Sequence, residues 1–165
     1  MYSLAEVNKM GQQEFIEKIG WVFEHTPWVA EKAFSSQPFE SVKDLHQKMV
    51  NIVKEGDKEV QLALINAHPD LGARIKMTES SVNEQKGAGL DSLTEEEFVN
   101  LSALNKRYLE KFGFPFILAV KGHTKETIYQ AMEQRIHHEK EQEFQTALLE
   151  IYKIVGFRLE DLVKE

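Results

Sequence analysis

No cysteine occurs in the 165 residues. That absence excludes disulfides, thiolate nucleophiles and cysteine-based zinc sites. It suits a reducing compartment, and a cytoplasmic location is the expectation. Long apolar runs are missing too, since no stretch approaches the roughly 18 residues needed for a membrane span. The opening MYSLAEVNKMGQQEF lacks the apolar segment of a secretory signal, and the closing Leu162-Val163-Lys164-Glu165 is not a peroxisomal address of the SKL type.

Proline and glycine are sparse, at four and nine residues, and stand as scattered breaks. No linker, repeat or low-complexity tract separates them, which predicts one domain over residues 1–165. An excess of positive charge is also lacking: the formal net charge is -7. An acidic balance opposes nucleic acid and anionic membrane as partners. It leaves room for a small anionic ligand, provided that specific cations line a local pocket. Several signatures are missing as well. There is no dinucleotide or phosphate-loop glycine pattern, no His-Glu-x-x-His, no facial triad and no Gly-x-Ser-x-Gly elbow. No metal and no cofactor is therefore proposed.

What is present is apolar material at helical spacing. The chain is 42% hydrophobic, with ten Phe, four Tyr and two Trp. Phe15, Ile19 and Val22/Phe23 predict a helix from Gln12 to Phe23. Pro27 opens a short helix to about Phe34. Ser41 caps a strong one carrying Val42, Leu45, Met49 and Ile52/Val53, which ends at Gly56. Asp57 opens the next, and Pro69 stops it near Asn66 or Ala67 by disfavouring helix at His68. A short helix is expected from Ser81 to Lys86. Thr94 to Glu97 matches a capping box and starts a long helix closed by Gly113. Thr124 to His137 and about Lys140 to Leu162 complete the set. The exception is Phe114-Pro115-Phe116-Ile117-Leu118-Ala119-Val120, an apolar run broken by proline and bounded by glycines, read as buried and extended. Its backbone groups need partners, and a ligand is one candidate. The fold class is all-α, a multi-helix bundle with one short buried extended segment near residues 114–120.

Three features bear on chemistry. His68 follows a helix C-terminus on a backbone restricted by Pro69. A helix C-terminus favours the imidazolium, and histidine, with an ordinary pKa of about 6.5, is the natural proton-transfer group near neutrality. A plain helix-end packing role fits the same spacing. Ser81, Glu84 and Gln85 fall within about one helical turn and can present a hydroxyl, a carboxylate and an amide together, a set suited to a urea-like group. Ser81 and Glu84 also fit an ordinary capping box. Arg158 sits on the apolar stripe of the last helix, where a charge needs a partner. Its guanidinium can grip a carboxylate or ureide as a fork, or it can pair with a structural carboxylate. Asn105, on an apolar face, reads as a buried hydrogen-bonding residue. His137-His138-Glu139 reads as a solvated helix end.

Taken together, these segments resemble the OHCU decarboxylases, which act on 2-oxo-4-hydroxy-4-carboxy-5-ureidoimidazoline. The resemblance is carried by Ala67-His68-Pro69-Asp70-Leu71-Gly72 and by Ser81-x-x-Glu84-Gln85 with Gly89-Leu90. It continues through Leu104-Asn105-x-x-Tyr108-x-x-Lys111-Phe112-Gly113-Phe114-Pro115-Phe116-Ile117 and Arg158-Leu159-x-x-Leu162-Val163, in the family's order and spacing. It spans nearly the whole chain. The resemblance implies a cofactor-free decarboxylase that forms (S)-allantoin in urate degradation. His68 is then the catalytic histidine and Glu84 its carboxylate partner. Pro69, Ser81, Gln85, Arg158 and backbone groups of Phe116 and Ile117 become substrate contacts. A homodimer, and a fusion to or association with urate oxidase, are further implied. Two other readings remain open: a helical interaction module, and another cofactor-free lyase or hydrolase acting on a cyclic ureide.

Overall fold

The computed structural model describes residues 1–69 and 93–165. The expected helix at 81–86, together with Ser81, Glu84 and Gln85, lies outside the described residues. The chain divides into two compact units, one of Met1–Ala67 with Ile151–Glu165 and one of His68–Glu150. Apart from one two-residue strand pair, the regular structure of the described residues is helical. The protein is all-α. No helix among the described residues is long and apolar enough to cross a membrane.

In the first unit, β1 (Tyr2–Ser3) leads into α1 (Leu4–Lys9), where the Ser3 hydroxyl accepts from the Glu6 amide. The predicted helix from Gln12 to Phe23 is shorter than expected. α2 covers Gln12–Ile19, and a 3-10 turn takes Gly20–Val22. Tight packing accounts for the glycine there, because a Cβ on Gly20 would lie 3.1 Å from the Ala30 Cβ. α3 (Trp28–Ala33) follows Pro27, and Ser41 caps α4 (Val42–Glu55) by accepting from the Asp44 amide. Gly56 ends α4 in extended conformation at φ -71°, so no left-handed cap forms. Space explains this glycine instead: a Cβ would meet Val60 Cγ2 at 2.9 Å. Asp57 accepts from the Val60 amide and opens α5 (Lys58–Ala67), which ends where the proline rule places it. Phe15 packs against Phe34 and Phe39 at centroid distances of 6.0 and 5.8 Å, within a core that includes Ile19, Leu45, Met49, Leu64 and Ile65.

In the second unit, Thr94 forms a reciprocal capping box with Glu97 and starts α6 (Glu95–Phe112). Gly113 closes it at φ +76°, a left-handed geometry that costs glycine little. Residues 114–120 then run without helix, and all but Pro115 are buried. The aromatic spacing explains why they stay there. Tyr108 contacts the rings of Phe112, Phe114 and Phe116 at 4.5, 6.2 and 5.2 Å, and Phe144 meets Phe114 at 6.3 Å. Thr124 caps α7 (Lys125–Arg135). The last helix, α8 (Lys140–Leu162), contributes its residues up to Glu150 to this unit and the remainder to the first. In the first unit β2 (Val163–Lys164) pairs in parallel with β1, Tyr2 opposite Val163 and Ser3 opposite Lys164.

Candidate functional site

Arg158 is buried, at 5% exposure, on the C-terminal part of α8. Its Nη2 donates to Glu24 Oε1 at 2.9 Å, and its Nη1 donates to the Val22 carbonyl at 3.1 Å. The guanidinium carbon stands 5.9 Å from the Trp21 ring centroid. Glu24 is equally buried, with its side chain 5% exposed. The segment that carries it is tightly wound. His25 adopts φ +48°, an uncommon conformation for a residue with a Cβ. The Thr26 hydroxyl donates back to the Glu24 carbonyl at 2.5 Å. Sequence reasoning asked for a partner to Arg158 and did not name Glu24, which sits 134 residues away along the chain.

Behind Arg158, Gly156 lets α4 approach closely, since a Cβ there would meet the His46 ring at 3.1 Å. His46 Nε2 donates to the Tyr152 carbonyl at 2.8 Å. Burial pushes the Tyr152 phenol up to about 12.

His68 follows the last residue of α5 directly and is 6% exposed. Pro69 beside it is half-buried. Such burial shields the imidazole from bulk water.

Phe116 and Ile117 are also buried. Arg135 holds them: its Nη1 donates to the Ile117 carbonyl at 2.7 Å, and its guanidinium carbon lies 4.3 Å from the Phe116 ring centroid. The Ala119 amide donates to Glu150 Oε1 at 3.0 Å. Side chains thus meet two backbone groups of the extended segment, and the Val120 carbonyl accepts from the His123 amide.

Arg135 belongs to a wider buried network. Its Nε donates to Glu143 Oε1 at 2.9 Å, while its Nη2 is buried and finds no hydrogen-bond partner among the described residues. Fully buried Glu143 also accepts from the Tyr108 hydroxyl and, at 2.9 Å, from His138 Nδ1. Burial, then the bond to Glu143, holds the Tyr108 phenol far above its ordinary range, so it remains a donor. The expected solvated helix end at His137-His138-Glu139 is thus only partly so: His137 and Glu139 are exposed, but His138 ties into the core. Sequence reasoning missed Arg135, Glu143 and Glu150. The signal that marked Arg158, a charge on an apolar helix stripe, was available for each of them.

Comparison with known proteins adds a decisive observation. The family profile described as OHCU decarboxylase matches residues 8–160. The chain belongs to the OHCU decarboxylase family. It is 47% identical over 165 residues to the uric acid degradation bifunctional protein PucL of Bacillus subtilis (strain 168), covering all of this chain and 33% of that protein. It is 46% identical over 160 residues to the 2-oxo-4-hydroxy-4-carboxy-5-ureidoimidazoline decarboxylase of Halalkalicoccus jeotgali, covering 97% of this chain and 91% of that one. The chain thus spans about a third of the bifunctional relative and nearly all of the stand-alone one. Among solved structures, a crystal structure of (S)-allantoin synthase superposes with a TM-score of 0.82 at 32% identity, covering 98% of this chain and 54% of that one.

Proposed function

We propose that this protein decarboxylates 2-oxo-4-hydroxy-4-carboxy-5-ureidoimidazoline to (S)-allantoin and CO2 during urate degradation. The observation that carries the reading is the family match over residues 8–160, which takes in His68, Glu84, Phe116, Ile117 and Arg158. It runs through both compact units and supports treating residues 1–165 as one functional domain.

The substrate supplies its own electron sink. Its carboxylate is on a carbon that also bears a hydroxyl, next to a ring carbon in a C=N bond. As the bond to CO2 breaks, its electron pair forms a double bond to that neighbour. The C=N pair moves to nitrogen, which takes a proton. The resulting ring enol loses its hydroxyl proton and gains one at the ureido-bearing carbon, giving allantoin. The protein then has to orient the scissile bond and manage protons. In this proposal His68, oriented by Glu84, handles the hydroxyl proton. Arg158, Gln85, Ser81, Pro69 and main-chain groups of Phe116 and Ile117 hold the ureide and ring carbonyl groups. Delivery of the final proton to one face would set the (S) configuration.

We further propose a cytoplasmic homodimer working with urate oxidase. The bifunctional nature of the PucL relative supports the association. The decisive experiment is direct assay on freshly generated urate-oxidation intermediate, following CO2 release together with circular dichroism. Release of CO2 with accelerated growth of the (S)-allantoin signal is expected. Turnover without CO2 would point to a hydrolase, and no acceleration with no stabilisation by allantoin would leave an interaction module.

A further inference from the structure

A buried guanidinium next to a substrate that carries a carboxylate would ordinarily act as its counter-ion. For a decarboxylation that is a poor arrangement. The charge on the carboxylate leaves as neutral CO2 forms, so a full cation held on it stabilises the reactant more than the transition state. The surroundings of Arg158 address this point. Among the described residues its ion-pair partner is Glu24, 2.9 Å away, and both side chains are at least nine-tenths buried. At that separation the carboxylate offsets part of the attraction that the guanidinium exerts on a third charge. The guanidinium is also fixed in direction, with Nη2 on Glu24 and Nη1 on the Val22 carbonyl.

We propose that Glu24 is a specificity-determining positioning residue. Its carboxylate orients and neutralises Arg158, so that the guanidinium takes the substrate's ureide as a hydrogen-bonding group instead of gripping its carboxylate as an ion. The inference rests on the reading that Arg158 contacts substrate. The tight turn around Glu24, with His25 at φ +48° and Thr26 bonded back to the Glu24 carbonyl, fits a carboxylate held in one place.

A matched pair of ligands tests it: ureidoacetate, an anionic ureide, and ureidoacetamide, its neutral amide, with (S)-allantoin as reference. Dissociation constants are measured by calorimetry on the full chain. The wild-type protein is expected to bind the amide at least as well as the carboxylate. A preference for the carboxylate of more than about tenfold would overturn the proposal. Glu24→Gln keeps an oxygen to accept from Arg158 but removes the charge, and should shift the ratio toward the anion by about tenfold or more. Glu24→Asp keeps the charge but shortens the reach, and should weaken both ligands together with little change in ratio. A purely structural Glu24 predicts lower thermal stability with an unaltered ratio in the folded Gln variant, and that result would also overturn it. If either variant fails to fold, the wild-type ratio still decides. If allantoin binds and the ratios contradict expectation, the inference alone fails. If no ureide binds at all, the reading beneath it has failed and takes the inference with it.

Discussion

Charged side chains on apolar helix stripes dominate the chemistry at the level of single residues. A buried ion costs several kcal/mol in lost hydration unless it is paired and hydrogen-bonded, and Arg135, Glu143 and Arg158 each meet that requirement. Glu143 is the most heavily committed, serving Tyr108, Arg135 and His138 while fully buried. Arg135→Met should therefore destabilise the protein by about 3–5 kcal/mol, chiefly by leaving Glu143 without its cation. Urea denaturation measures this, and a loss below about 1 kcal/mol would show that His138 or water replaces the guanidinium readily. His68 makes a different prediction. His68→Ala should lower kcat by roughly 10²- to 10⁴-fold with an unchanged circular dichroism spectrum. A folded variant with normal turnover would remove His68 from the proposed proton transfer.

Local signals governed the elements. Ser41, Thr94 and Thr124 each cap the helix they precede, because a side-chain oxygen three residues ahead of an orphan amide needs no help from the rest of the fold. The proline rule at His68-Pro69 ended α5 for the same reason. Glycines were less transparent. Gly113 takes the left-handed cap its position suggested, whereas Gly56 and Gly20 are present for close approach of neighbouring side chains. This separates two substitutions. A Cβ on Gly113 would meet nothing within 4 Å, so Gly113→Ala carries only the backbone cost of φ +76°, about 1–2 kcal/mol. Gly56→Ala must instead displace Val60, 2.9 Å from the added carbon. Thermal denaturation of the pair, with a repacking substitution Val60→Ala added to each, tells them apart. Val60→Ala should rescue Gly56→Ala in part, since the added carbon still meets the Val53 carbonyl at 3.2 Å, and should leave the Gly113→Ala deficit intact.

For the molecule as a whole, stability should respond to alkali through its buried phenols. Tyr152 has its pKa raised to about 12 by burial, and Tyr108 is raised further. An unfolded tyrosine titrates near about 10. Above that pH the unfolded chain has lost protons that the native state still holds, so stability falls as pH rises. The contribution of Tyr152 is fully present below about pH 10 and is lost by about pH 12. Urea midpoints at about pH 9 and pH 11 should differ less in Tyr152→Phe than in the parent, since lysine titration is common to both. Equal differences would show that the phenol is no better shielded in the native state than in the unfolded chain.

The sequence by itself determined the all-α class, most helix boundaries, the buried extended run at 114–120 and the family. These depend on contacts within a turn or two of the chain, or on residue types standing in a set order. Only the tertiary structure decided which groups satisfy one another. Glu24 meets Arg158 across 134 residues, Glu150 takes the Ala119 amide, Arg135 clamps the Ile117 carbonyl, and Tyr2 pairs with Val163. Periodicity states that a buried charge or amide must have a partner. The partner's identity depends on which distant segments the folded chain brings within about 3 Å, and no local pattern encodes that distance.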